Sequence, residues 1–154
     1  MILVVTGSAG VGKTRVARAL AKKYELKYID VNALIKKNKL YDSYDRKFKS
    51  YVVDVGKLKK FLVDLVKKNK NLVLDSHLSQ YLDKKYVDLC VIVKCDIKVL
   101  KKRLEKRRYS ENKIRENLDA EIFDTCLVEA TELGHKVKVI NTSKGFKLEK
   151  LGRN

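Results

Sequence analysis

The stretch Ile2-Leu-Val-Val-Thr6-Gly7-Ser-Ala-Gly10-Val11-Gly12-Lys13-Thr14-Arg15 decides the fold. Its first five residues are apolar or β-branched and read as a strand. The glycines let the backbone curl, so that successive N–H groups converge on one centre. Apolar residues at helical spacing follow, through Val16-Ala-Arg-Ala-Leu20. Strand, Gly-rich loop and helix, with Gly-Lys-Thr at the join, make a phosphate-binding loop. The unpaired N–H groups and dipole of the helix start favour an anion. Lys13 is expected to reach the β and γ phosphates of a nucleoside triphosphate, and the Thr14 hydroxyl to ligate Mg²⁺.

Outward from this loop the pattern alternates. A second strand is expected over 26–30 and a helical turn or two over 31–37. Residues 38–50 are polar, charged and rich in tyrosine, with Tyr41 and Tyr44. They are expected to form a mobile insertion outside the core. Helix period returns over 57–68, with Leu58, Phe61, Leu62, Leu65 and Val66 on one side. Leu72-Val-Leu-Asp75-Ser-His77 and Asp88-Leu-Cys-Val-Ile-Val-Lys94 read as buried strands. Asp96 suits the N-cap of a helix over 97–107, and Ser110 that of a long helix over 111–133. Ile114, Leu118, Ile122, Cys126 and Ala130 form a core stripe on that last helix. Gly134 suits its C-cap. A fifth strand over 136–140, a loop and a short helical end close the chain. Five strands alternating with helices predict an α/β fold, a parallel sheet with helices on both faces. Ligand then belongs at the carboxyl ends of the strands.

The 154 residues bound a single domain over 1–154. Net charge is +17, from 36 basic and 19 acidic residues. Such a field attracts polyanions and is compatible with proximity to rRNA. Lysine enrichment of this kind also accompanies heat adaptation. Cys90, Cys95 and Cys126 have neither metal spacing nor even number, and read as small hydrophobes in a reducing cytoplasm. No apolar run approaches the ~20 residues of a membrane span, and the apolar start is too short for a signal peptide.

An acid closing an apolar strand, downstream of a phosphate loop, is placed to hold the hydration shell of Mg²⁺; Asp75 is that residue. His77 is a candidate to orient a water, and Arg107, at the break between two late helices, to spread charge on a moving phosphoryl group. An insertion at about 30–53 would hold an acceptor, and a short hairpin at about 107–117 would act as a lid. So tight a lid excludes water poorly, which makes hydrolysis a competing reaction.

Four stretches carry a resemblance: Thr6-Gly-Ser-Ala-Gly-Val-Gly-Lys-Thr14; Leu40-Tyr-Asp-Ser-Tyr-Asp45; Val73-Leu-Asp-Ser-His77; and Arg107-Arg-Tyr-Ser-Glu-Asn-Lys-Ile-Arg-Glu-Asn117, running on to Glu129-Ala130. In these the chain resembles the Fap7/CINAP family, also called adenylate kinase isoenzyme 6, in its archaeal form. The resemblance implies the fold of the P-loop nucleoside monophosphate kinases. It implies reversible phosphoryl transfer between ATP and AMP, with Mg²⁺, and a slow ATPase. It also implies a role in late maturation of the small ribosomal subunit, through transient binding of a platform ribosomal protein beside the rRNA end. By position, Gly10, Val11, Gly12, Lys13, Thr14 and Arg15 would bind ATP phosphates and Mg²⁺. Asp75 and His77 would be the acid-x-His pair tied to hydrolysis, Arg107 the lid arginine, and Lys144 a neighbour of the adenine. The chain departs from its relatives at Lys36, where they place an acceptor-side arginine, at Asp54-Val-Gly56 and at Arg107-Arg-Tyr109. Two other readings of the residues stay open: an ATP-driven assembly switch with incidental kinase activity, and a small-metabolite kinase on the same scaffold.

Overall fold

A computed structural model describes residues 1–148. Five strands form one parallel sheet: β1 (Ile2–Thr6), β2 (Lys27–Asp30), β5 (Leu72–Asp75), β6 (Leu89–Lys94) and β7 (Val137–Asn141), in the order β2-β5-β1-β6-β7. Side chains alternate across the pleat, which sorts the core into two layers. Leu3 and Val5 of β1 face one layer with Val73, Val91 and Val93. Helices α1 (Lys13–Tyr24) and α4 (Ile97–Lys106) cover it through Val16, Leu20, Leu100 and Leu104. Ile2 and Val4 face the other, under α2 (Val31–Lys37), α3 (Val55–Lys68) and α6 (Thr125–Glu132). Each fully buried leucine in these layers contributes on the order of 1.5–3 kcal/mol. The predicted doubly covered parallel sheet is therefore present.

Several expectations are refined or corrected. The expected insertion takes the form of an antiparallel hairpin, β3 (Tyr41–Asp45) paired with β4 (Ser50–Val53), with Leu40 buried at its base. Asp45 closes its turn by accepting from the N–H groups of Lys47 and Phe48, and Tyr51 stacks between Tyr41 and Tyr44. The long last helix is two helices, α5 (Glu111–Ile122) and α6, broken where Asp124 adopts a left-handed conformation with φ 52°. Lys94, reaching up from the end of β6, holds that break with Glu121 at 2.8 Å and with Asp124. The break ends the stripe: Ile122 and Phe123 are exposed, Phe123 at 72%. Asp96 sits at the α4 N-cap, but its side chain accepts from Asn141 instead of the helix. Ser110 does cap α5, through Lys113 N–H at 3.2 Å. Gly134, at φ 81°, ends α6 as expected. No helix is found over 143–148, and the rest of the predicted helical end lies outside the described residues.

Candidate functional site

β1 lies between β5 and β6, so the chain crosses to opposite sides of it, and a crevice opens above its carboxyl end. The phosphate loop fills that point. Its path demands glycine. A Cβ on Gly7 would lie 2.5 Å from the Val93 carbonyl oxygen. Gly12 is the N-cap of α1 at φ 95°, and no side chain caps this end. The first-turn N–H groups of Lys13, Thr14 and Arg15 are thus left for a ligand.

Arg103, on α4, holds the loop from behind. Its Nη1 donates to the carbonyls of Gly10 (3.4 Å) and Val11 (3.3 Å) and to the Thr142 hydroxyl (3.0 Å), and Nη2 donates to the Thr142 carbonyl (2.9 Å). The Thr142 hydroxyl itself donates to Val11 O. A trans peptide sets its N–H opposite its carbonyl. Pulling the carbonyls of 10 and 11 toward Arg103 therefore turns the N–H groups of Val11 and Gly12 the other way. The Val11 side chain is sunk in the core, so only its backbone can serve a ligand. From the other side, Asn117 of α5 accepts from Ala9 N–H at 3.2 Å.

A single cleft of about 1090 Å³ runs from this loop to the hairpin. Lys13, Thr14, Arg15, Asp75, His77 and Arg107 all line it, brought from three separate stretches of chain. Lys13 Nζ donates to Ser8 O at 2.8 Å. Burial holds its ammonium below the ordinary lysine value, against the pull of the Asp75 carboxylate. Asp75 Oδ2 accepts from the Thr14 hydroxyl at 2.9 Å and from the Tyr28 hydroxyl at 2.6 Å. Burial and then Asp75 push the Tyr28 phenol up to about 12. His77 is reached by solvent on its cleft side, but its enclosure by protein, reinforced by the Lys13 charge, pushes the imidazole down to about 4. It is neutral at pH 7. Arg107 ends α4, its guanidinium over the Tyr109 ring and 3.4 Å from the Tyr109 hydroxyl.

Lys144 is not brought to the cleft; it stands on an exposed turn. Phe146, two residues on, does line it, with the Arg15 guanidinium 6.0 Å above the ring. Cys126, expected in the core, also lines the cleft, and burial raises its thiol. Sequence reasoning missed Arg103, Thr142, Tyr28 and a buried relay beneath the cleft. In that relay the Thr6 hydroxyl donates to Gln80 Oε1 (2.7 Å), and Gln80 Nε2 donates to Glu129 Oε2 (2.8 Å).

The Thr14 hydroxyl and the Asp75 carboxylate are hard oxygen donors in mutual contact. That pair fits Mg²⁺, which takes few protein ligands and keeps its waters and phosphate oxygens. Among the described residues no three His, Cys, Asp or Glu side chains group into a closed metal cage.

Comparison with known proteins agrees with this geometry. A family described as AAA domain matches residues 3–124. The chain is 38% identical to "Putative adenylate kinase" of Methanocaldococcus jannaschii, across 92% of this chain and 78% of that protein. It is 37% identical to the adenylate kinase isoenzyme 6 homolog of Dictyostelium discoideum, across 83% and 73%. A shikimate kinase from Acinetobacter baumannii in complex with shikimate superposes with a TM-score of 0.63, at 18% identity, covering 94% of this chain and 84% of that one; this likeness speaks for the fold. A phosphate loop at the switch point of a five-stranded parallel sheet, together with relatives at 37% and 38% identity, places the chain in one family: it belongs with the AAA-domain proteins named "Putative adenylate kinase" and "Adenylate kinase isoenzyme 6 homolog".

Proposed function

We propose that the protein is a phosphotransferase of adenylate kinase type, converting ATP and AMP to two ADP, with an intrinsic ATPase activity. The observation that carries this reading is the single cleft. It joins the phosphate loop, the β3–β4 hairpin and the α4–α5 hairpin, so two phosphate-bearing substrates can meet in one enclosure. The names of the relatives point the same way.

Phosphoryl transfer asks the protein for position and charge, with no covalent step of its own. Mg²⁺, when bound, neutralises charge on the β and γ phosphates of ATP. Thr14 and Asp75 would hold it, while the N–H groups of Gly10, Val11, Gly12 and the first turn of α1 grip the triphosphate. Lys13 exchanges its bond to Ser8 O for phosphate oxygens, and an anion there favours its charged form. Arg107 swings from Tyr109 to the transferring group. Arg15 and Phe146 offer a flat surface for the base of ATP at the cleft mouth. On the acceptor side Lys36 stands in the wall, near Tyr51. A lysine grips phosphate as a point charge, without the fork of an arginine. This weakens AMP binding and favours water as an acceptor, which neutral His77 is able to orient by accepting a hydrogen bond.

That departure supports a second reading, in which hydrolysis drives a switch and the kinase reaction is vestigial. The proposed cellular role under either reading is late maturation of the small ribosomal subunit. Its partner would be a platform ribosomal protein near rRNA, in keeping with the charge of +17. Cys90, Cys95 and Cys126, unpaired in the structure, suit a cytoplasmic location. No helix among the described residues is long and apolar enough to cross a membrane.

The deciding experiment measures ADP formation from Mg²⁺–ATP, with and without AMP, on the wild type and Lys13→Ala. Many-fold stimulation by AMP, lost in Lys13→Ala, is the expected result. Lys13-dependent turnover indifferent to AMP transfers the case to the switch, and capture of small-subunit ribosomal proteins then tests it.

A further inference from the structure

Asp75 is held from a direction that the phosphate loop does not supply. β2 pairs with β5 in register, Tyr28 opposite Val73 and Asp30 opposite Asp75. Alternation along β5 puts Val73 and Asp75 on the face covered by α1, and Tyr28 packs into that same layer. From there its hydroxyl reaches two residues along the sheet and donates to Asp75 Oδ2 at 2.6 Å. The Thr14 hydroxyl donates to the same oxygen at 2.9 Å. Both described donors therefore meet on Oδ2, and neither uses Oδ1. The ring is fixed in turn. Arg18, one turn beyond Thr14 on α1, places its guanidinium 4.4 Å over the Tyr28 face. A cation over an aromatic ring at this distance is attracted by the ring face and favours this ring position.

We infer that Tyr28 is a positioning residue for the metal site: it fixes the Asp75 carboxylate with Oδ2 engaged and Oδ1 presented to the waters of a nucleotide-bound Mg²⁺. The inference rests on the reading of Asp75 as the Mg²⁺-side acid. An aspartate carboxylate turns about two bonds, Cα–Cβ and Cβ–Cγ, and samples several orientations unless something outside its own loop pins it. Thr14 does not do so alone, because its oxygen would be shared with the metal. Tyr28 stands on β2 of the sheet, outside the phosphate loop, with its ring packed into the core layer under α1. Hydrogen-bond partners that orient the groups of a metal site commonly change its affinity by ten- to a hundredfold.

The test compares the wild type with Tyr28→Phe, which keeps the ring and its contact with Arg18 and removes only the hydroxyl. A ribose-labelled fluorescent ATP is titrated into each protein in EDTA, and again across a Mg²⁺ series. The expected result is a Mg²⁺ half-saturation raised about tenfold in Tyr28→Phe, with affinity in EDTA within about twofold of the wild type. A Tyr28→Phe protein with wild-type Mg²⁺ dependence overturns the inference, as does an equal loss of affinity with and without metal. Asp75→Asn separates this from the reading beneath it. If Asp75→Asn leaves the Mg²⁺ dependence untouched, the assignment of Asp75 itself fails. If it abolishes that dependence while Tyr28→Phe does not alter it, only the role of Tyr28 fails.

Discussion

His77 carries a charge decision on a single ring. Enclosure by protein and the Lys13 charge bring its pKa down to about 4, below the ordinary imidazole value near 6.5. The folded state thus binds fewer protons than the unfolded chain between these values. Stability is fully present above about pH 6.5 and is lost as pH falls from there through 4. We expect thermal melts at pH 7 and pH 5 to show a smaller acid loss in His77→Gln than in the wild type, and an NMR titration of the His77 ring to give a midpoint well under 6. An ordinary midpoint would contradict both the enclosure and the proximity of Lys13. The residues that bracket this site were unequally legible. Lys13, Thr14 and Asp75 announce themselves, because their chemistry needs a fixed spacing or a strand end. Arg103 and Thr142 do not: they grip the carbonyls of Gly10 and Val11 across 93 and 131 residues of sequence. Tyr28 shows its role only through strand register, which one sequence does not contain.

At the scale of elements, strands and helices were readable from periodicity, while two junctions were not. The hairpin escaped because its alternation is of tyrosines and charges, a pattern without an apolar face. The break between α5 and α6 escaped because helical periodicity continues through it; what stops the helix is the pull of Lys94 on Glu121 and Asp124. Partial burial pulls the Lys94 amine down, but its hydrogen bonds to Asp124 and Glu121 outweigh that and leave it raised. The two acids should not matter equally. The Glu121 side chain is 4% exposed and that of Asp124 45%. Glu121→Ala should cost roughly 3 kcal/mol by leaving the half-buried Lys94 short of its enclosed partner. Asp124→Asn keeps a side chain tolerant of the left-handed conformation and should cost about 1 kcal/mol or less. Urea unfolding midpoints measure both, and equal losses would remove Glu121 from its place as the anchor of the break.

Across the whole molecule, the positive excess is a property of the surface as much as of the cleft, since lysines stand exposed along α1, α3 and α4. Attraction to RNA by this field alone is sequence-independent and collapses with salt. Fluorescence anisotropy with a short single-stranded RNA should therefore show affinity falling by orders of magnitude between about 50 and 200 mM salt. Affinity that holds across that range would mean base recognition by a built surface, and absence of binding at low salt would favour heat adaptation as the source of the charge. The Asp124 break has a mechanical meaning at this scale. An unbroken rod from Glu111 to Glu132 would be a crankshaft, carrying every stroke of the Arg107 hairpin to Glu129, through Gln80 to Thr6, and so into the foundation of the phosphate loop. The knuckle at Asp124 cuts that shaft in two: α5 is geared to the loop by its own short link, Asn117 to Ala9, and α6 seats Glu129 on a separate arm.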